Sequence, residues 1–275
     1  MFKRFLKSKK EEKPVQSNFS NRDLFNELFP LTEENKSKFK NSFNSIFEKM
    51  FEKEQVDKLL NYSRNYKTKE TQFGNLIFND MSWNSIDSTE TKLQYISPDS
   101  DPMVIEIFEP NGEMKKENSE AIMLAYRDWT RKQTVKIGGG LIMCEEVLTE
   151  NGIVGYESIT KIPKREGRGM DYTYFLNLND YKEQKMYQFR VMIFEMNPTG
   201  LRDNISMHPI CDITDTDIGE LMSLYRQDPY NKEFKEGNLM NISEKEEFDS
   251  FFPFHPLSII RNEIKPNIIN SVRFN

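Results

Sequence analysis

Residues 187–203, YQFRVMIFEMNPTGLRD, constrain the fold of this chain more than any other stretch. In an extended backbone Tyr187, Phe189, Val191 and Ile193 share one face, and Met192 and Phe194 lie on the other. Only Gln188 and Arg190 interrupt a run rich in β-branched and aromatic residues, the pattern of a strand covered on both faces toward its end. Asn197, Pro198, Thr199 and Gly200 then supply type I turn chemistry, so the chain reverses or leaves the sheet there.

The sequence before this strand supplies neighbours for it. Asn151-Gly152, flanked by Val147, Leu148, Ile153 and Val154, is a hairpin signal. Extended runs at 156–162, 172–178 and 187–195 follow, joined by short loops at 163–169 and 179–185, and together they describe an antiparallel meander. Shorter extended pieces occur at 74–78, 92–96 and 103–108, where the hydrophobic period drops from about 3.6 to 2. Gly138, Gly139 and Gly140 continue into Leu141, Ile142 and Met143 as strand, so they predict a bulge or tight connection and not a phosphate-binding loop.

Helical periodicity dominates the rest. Ser20 and Asp23 open a helix with Leu24, Phe25, Leu28 and Phe29 on its apolar face, and Pro30 stops it. Phe39, Phe43, Ile46, Phe47 and Met50 recur at steps of three and four, and Val56, Leu59 and Leu60 extend the pattern. Residues 32–64 are thus one long helix or two joined near Glu54. A helix over 115–132 would place Ala121, Ile122, Leu124, Ala125 and Trp129 against the sheet, with Arg127 and Asp128 pointing away. Ile218, Leu221, Met222 and Tyr225 predict another helix at 215–225, and Leu257, Ile260, Ile264 and Ile268 a last one with a kink or break at Pro266. The expected fold is α+β, an antiparallel β-sheet covered by helices. Its expected organisation is a basic tail and linker at 1–19, an N-terminal helical segment at 20–66, and an α+β domain with C-terminal helices at 73–275.

A formal net charge of −6 argues against a broad nucleic-acid footprint, which needs a basic face to neutralise phosphates. No run of 18 apolar residues occurs, and residues 1–10 lack the apolar core of a secretory signal, so a cytoplasmic location is expected. Phe2, Phe5 and Leu6 among the basic residues of MFKRFLKSKK have the spacing of an interfacial helix. Two turns offer little apolar area, and a frayed tail is the reading preferred over membrane contact.

Chemistry is sparsely signalled. Cys144 and Cys211 stand alone, no HExxH, Cys-His or GxSxG spacing occurs, and no motif implies a cofactor or a metal. His208 and His255, the two histidines, both precede proline, which holds such a residue extended. Glu195, Thr199, Arg202 and Asp203 form the candidate site. Either Glu195 and Arg202 clasp each other to fix the strand-to-helix corner, or Arg202 faces a groove and receives an anionic group of a partner.

Residues 155–204, with Glu195, Thr199, Gly200, Arg202 and Asp203 at their end, resemble the PsbP-like superfamily, in which antiparallel strands end near an E-x-x-x-TG-x-R-[DE] corner. The resemblance implies a sheet covered by helices and a binding or accessory role without catalysis; it transfers no catalytic residue. The long helical N-terminus and FPFHPLS at 252–258 depart from simple members, and the C-terminal segment resembles those of uncharacterised bacterial cytosolic proteins. The expectation is a non-catalytic cytosolic protein engaging a protein partner. The alternative is an enzyme acting on a small polar substrate with His255 or His208 as acid-base.

Overall fold

The computed structural model describes residues 32–64, 66–115, 119–164, 169–195, 199–214, 217, 219 and 226–275. The expected basic tail, the helix at 20–29, Asn197-Pro198 of the turn and nearly all of the helix at 215–225 lie outside these residues.

Two helices open the described chain, α1 (Glu33–Met50) and α2 (Lys53–Leu60). Thr32 caps α1 by accepting from the Asn35 N–H at 3.1 Å, and Glu33 and Glu34 favour its positive N-terminal end. The join lies at Phe51-Glu52, where the backbone turns extended and Glu52 with Gln55 forms a capping box for α2. Five strands follow: β1 (Glu70–Phe73), β2 (Leu76–Asn79), β3 (Asn84–Ser88), β4 (Lys92–Ile96) and β5 (Pro102–Phe108). After α3 (Ser119–Lys136) comes the meander β6 (Gly140–Leu148), β7 (Val154–Pro163), β8 (Met170–Asp180) and β9 (Lys185–Phe194). Then come α4 (Leu201–Thr214), the short pair β10 (Arg226–Gln227) and β11 (Met240–Asn241), two 3₁₀ segments (Ile242–Glu244 and Glu246–Phe251), a composite helix α5 (256–269) and β12 (Arg273–Phe274).

The fold is α+β, as expected. The main sheet has seven antiparallel strands in the order β3-β4-β5-β9-β8-β7-β6. The meander is present in full, and β9 continues it by pairing with β5, Met103 opposite Val191 and Ile105 opposite Phe189. The triple glycine is the tight connection predicted: a Cβ on Gly139 would sit 2.3 Å from the Lys161 carbonyl, and one on Gly140 1.6 Å from that of Asn238.

One face of the main sheet carries the principal core. Tyr174, Leu176, Tyr187, Phe189, Val191 and Ile193 point into it against Leu257, Ile260, Ile264 and Ile268 of α5 and Phe78 of β2. Each such side chain contributes roughly 1.5–3 kcal/mol relative to exposure. α5 accommodates Pro266 without a sharp break, because the preceding Ile260–Ile264 turn is π-helical and shifts the hydrogen-bond register where proline supplies no N–H. A second core joins Phe39, Phe43 and Phe47 of α1 to Leu201, Ile205 and Ile210 of α4 and to Phe248 and Phe252.

Two expectations are corrected on the opposite face. β9 is covered on one side: Met192 is only half-buried and Phe194 is 36% exposed. α3 is rotated from its expected setting. Leu124 is 54% exposed and Ile122 is exposed, while Met123, Thr130, Arg131 and Thr134 face inward and Trp129 stacks on Tyr126. The inward side of α3 is polar because it docks through hydrogen bonds. Tyr126 Oη meets Ser158 at 3.1 Å and accepts from Asn177 at 2.8 Å, Arg127 donates to the Cys144 carbonyl, and Arg131 forks onto Asp228 at 2.7 and 2.8 Å.

Candidate functional site

Of the four residues of the expected site, Glu195 and Thr199 meet beside Gly169, while Arg202 and Asp203 turn to other partners. Glu195, at the end of β9, accepts from the Gly200 N–H at 2.6 Å and the Met170 N–H at 2.8 Å, so it ties the corner to the start of β8. Burial raises its pKa, an effect opposed by these two N–H groups and by Lys164. Thr199 is half-buried and packs beside Gly169, whose φ of +114° keeps that approach open to glycine. Asp203 lies 3.7 Å from Arg226.

Arg202 takes Asp249 as its carboxylate and not Glu195, so the expected clasp is not formed. Its side chain is 2% exposed and faces inward, which removes the groove-facing alternative as well. Nε donates to the Ser243 carbonyl at 2.5 Å, Nη2 to the Lys245 carbonyl at 2.7 Å, and Nη1 to Asp249 at 2.8 Å and Ser258 at 3.1 Å. Asp249 also receives Arg261 Nη1 at 3.1 Å, and Arg261 Nη2 donates to the Glu244 carbonyl. Glu244, itself 2% exposed, accepts from Lys161 at 2.7 Å and Tyr172 at 2.8 Å. The chain of contacts therefore runs from α4 through the 3₁₀ segments and α5 to β7 and β8. It fastens the phenylalanine core to the sheet. Arg202 stands in the sequence-legible corner, but its partners carry no signature that joins them to it, since they lie 41 to 56 residues away in the chain.

The histidines depart from the acid-base expectation. His208 sits inside α4 and is exposed, with Pro209 carried within the helix, so it is not held extended. The anchoring of Leu201, Ile205 and Ile210 in the phenylalanine core outweighs the local preference. His255 is extended, as expected, but buried; its Nδ1 accepts from the Leu257 N–H at 3.2 Å and its ring meets Tyr172 edge-on. Burial, and then the positive charges of Arg202, Arg261 and Lys161, push its pKa well below 6.5. Its surroundings are cationic where a general acid-base would need acidic neighbours.

This arrangement has a pH signature. Below pH 6.5 the unfolded chain binds a proton at His255 that the native state refuses, so this group makes stability fall as pH falls. His255→Asn retains a capping side chain without the titration. As pH falls from 7 through 6.5 and below, urea unfolding is expected to show the stability difference moving in favour of the variant. An unchanged difference would show that the imidazole is not held neutral.

An open depression of about 390 Å³ is lined by Thr68, Glu70, Phe78, Asn79 and Ser271. Among the described residues no cluster of three or more His, Cys, Asp or Glu side chains could hold a metal ion, and no helix is long and apolar enough to cross a membrane.

The outer face of the main sheet is a different kind of surface. α3 covers β6 and β7, and no described helix lies over β9, β5 and β4. Register places Phe175, Arg190 and Val104 side by side in one row and Gln188 beside Glu106 in the next, with Phe108 and Met186 beyond. Met192 and Phe194 extend the row pattern along β9. Arg190 is exposed and has no hydrogen-bond or ion-pair partner among the described residues, while Glu106 stands 4.0 Å from Lys92. The sequence carried a signal for this surface: Gln188 and Arg190 alternate in register with Met192 and Phe194, which is a mixed face.

Both edges of this sheet carry features that disfavour strand addition. At β6 the Cys144 N–H donates to Tyr230 at 2.8 Å, and its carbonyl takes Arg127. At β3 the ladder is broken by a bulge between Ser85 and Asp87, and Asp87 Oδ1 accepts the Ser88 N–H at 2.9 Å.

No family model and no curated protein matches the chain. Solved structures similar to it include the Saccharomyces cerevisiae Ran-binding protein Mog1p, with TM-score 0.36 and 8% identity over 55% of this chain and 92% of that one. A Mog1 mutant gives TM-score 0.35 and 9% identity over 54% and 92%. A structure from Bacteroides thetaiotaomicron gives 0.31 and 10% over 51% and 45%.

Proposed function

We propose that this chain is a non-catalytic binding or accessory protein of the bacterial cytosol, related to the PsbP-like superfamily through residues 155–204, and that it engages a protein partner through the open half of its main sheet. The observation that carries this reading is Arg190, an exposed cation without a partner among the described residues, set between Phe175 and Val104 on a mixed face. Arginine and aromatic side chains interleaved with polar groups on an exposed face are the composition of protein-binding surfaces. Capped groups at β6 and the bulge at β3 disfavour strand addition, which favours the face as the binding surface.

The test is capture of partners from the native host by wild-type protein and by Arg190→Glu and Phe108→Glu variants, all with unchanged melting temperatures. The expected result is loss from both variants of a protein retained by the wild type. An identical set of captured proteins would remove the open face from the binding site.

A further inference from the structure

We infer that the open sheet face is self-complementary and that two copies of this chain close it by packing face to face, each Arg190 meeting Glu106 of the other copy. The inference rests on the proposed use of this face and names its resting occupant. Glu106 pairs across the strands with Gln188, two residues before Arg190, so the two residues are diagonal neighbours about 7–8 Å apart at the backbone. That is one cation without a partner among the described residues beside one carboxylate held loosely, 4.0 Å from Lys92. A two-fold axis lying between the faces along the perpendicular bisector of the Arg190–Glu106 line exchanges the two positions. Both pairs are then made at once, as an isologous interface requires.

The surroundings suit such an interface. Phe108, Val104, Phe175, Met192 and Phe194 border the charges, so association would remove apolar surface around the ion pairs. Four strands about 4.8 Å apart and roughly 20 Å long give a face on the order of 400 Å² in projection. Two such faces, corrugated by side chains, remove roughly 1,000–1,200 Å² in total, the low end of specific interfaces. A weak dimer with a dissociation constant of about 1–100 μM is the consequence, compatible with displacement by a tighter partner.

Sedimentation equilibrium of the full chain from about 5 to 500 μM reads this directly. The wild type is expected to rise from 32.6 kDa toward twice that mass, and less steeply at high salt. Arg190→Glu and Glu106→Arg are each expected to weaken association at least tenfold, and the double exchange Arg190→Glu/Glu106→Arg to restore it. Phe194→Glu, which leaves both charges in place, should also weaken it. A wild type that stays monomeric, or a dimer indifferent to these variants, overturns the inference. Neither result bears on capture of a different partner, so this inference and the proposed function fail separately.

Discussion

Replacing Arg202 with alanine is expected to lower the unfolding free energy by about 3–5 kcal/mol, the loss typical when one partner of a buried ion pair is removed. The side chain is 2% exposed and satisfies two carbonyls, a carboxylate and a hydroxyl that belong to three separate segments. Without it the carbonyls of Ser243 and Lys245 are left buried without this donor, and Asp249 retains Arg261 alone as its cation. Lysine cannot repair the site, because one ammonium has neither the fork geometry nor the reach to serve all four acceptors. Arg202→Lys should therefore recover less than half of the loss. The same contacts join α4 to the 3₁₀ segments that Lys161 and Tyr172 hold against the sheet. Helical ellipticity and tryptophan fluorescence, which reports Trp83 in the sheet core and Trp129 on α3, are accordingly expected to separate in guanidinium titrations of Arg202→Ala. Coincident and unshifted transitions would show that the buried arginine carries no structural load.

The meander was legible because period-2 alternation and one Asn-Gly turn are local, and both survive into β6 through β9. α1 and α2 were legible for the same reason at period 3.6, with the join misplaced by two to three residues because Glu52 and Gln55, and not Glu54, form the cap. β3 left no trace: Asn84 to Ser88 are all exposed, so nothing selects their alternation. The setting of α3 misled for a physical reason. Hydrophobicity predicts the inward face only when burial is apolar, and α3 docks through Tyr126, Arg127 and Arg131 while leaving Leu124 in solvent. Met192 and Phe194 show the converse, since an apolar side chain left exposed reads in sequence like a covered one. The corner at Glu195 to Asp203 was found, but its role was not. What Arg202 binds depends on how the chain returns some forty residues later, and local pattern holds no record of that.

Phe43→Ala tests whether the helical layer and the sheet are one cooperative unit. Phe43 is 1% exposed and lies among four rings: Phe39 at 6.2 Å, Phe47 at 5.0 Å, Phe251 at 5.6 Å and Phe252 edge-on at 5.1 Å. Truncation leaves a cavity in the middle of this cluster and is expected to cost about 3–5 kcal/mol, the usual range for a buried phenylalanine. The rings belong to α1 and to the segment around Phe251, and that segment is also held by Arg202, Asp249 and Glu244. With the polar network intact, loss of stability in the helical layer must be shared by the sheet. Ellipticity at 222 nm and tryptophan fluorescence should therefore move together to lower denaturant in Phe43→Ala, in contrast to their separation in Arg202→Ala. An ellipticity transition that moves while fluorescence stays in place would show that α1 unfolds alone, and that the network joins α4 to the sheet without carrying α1 with it.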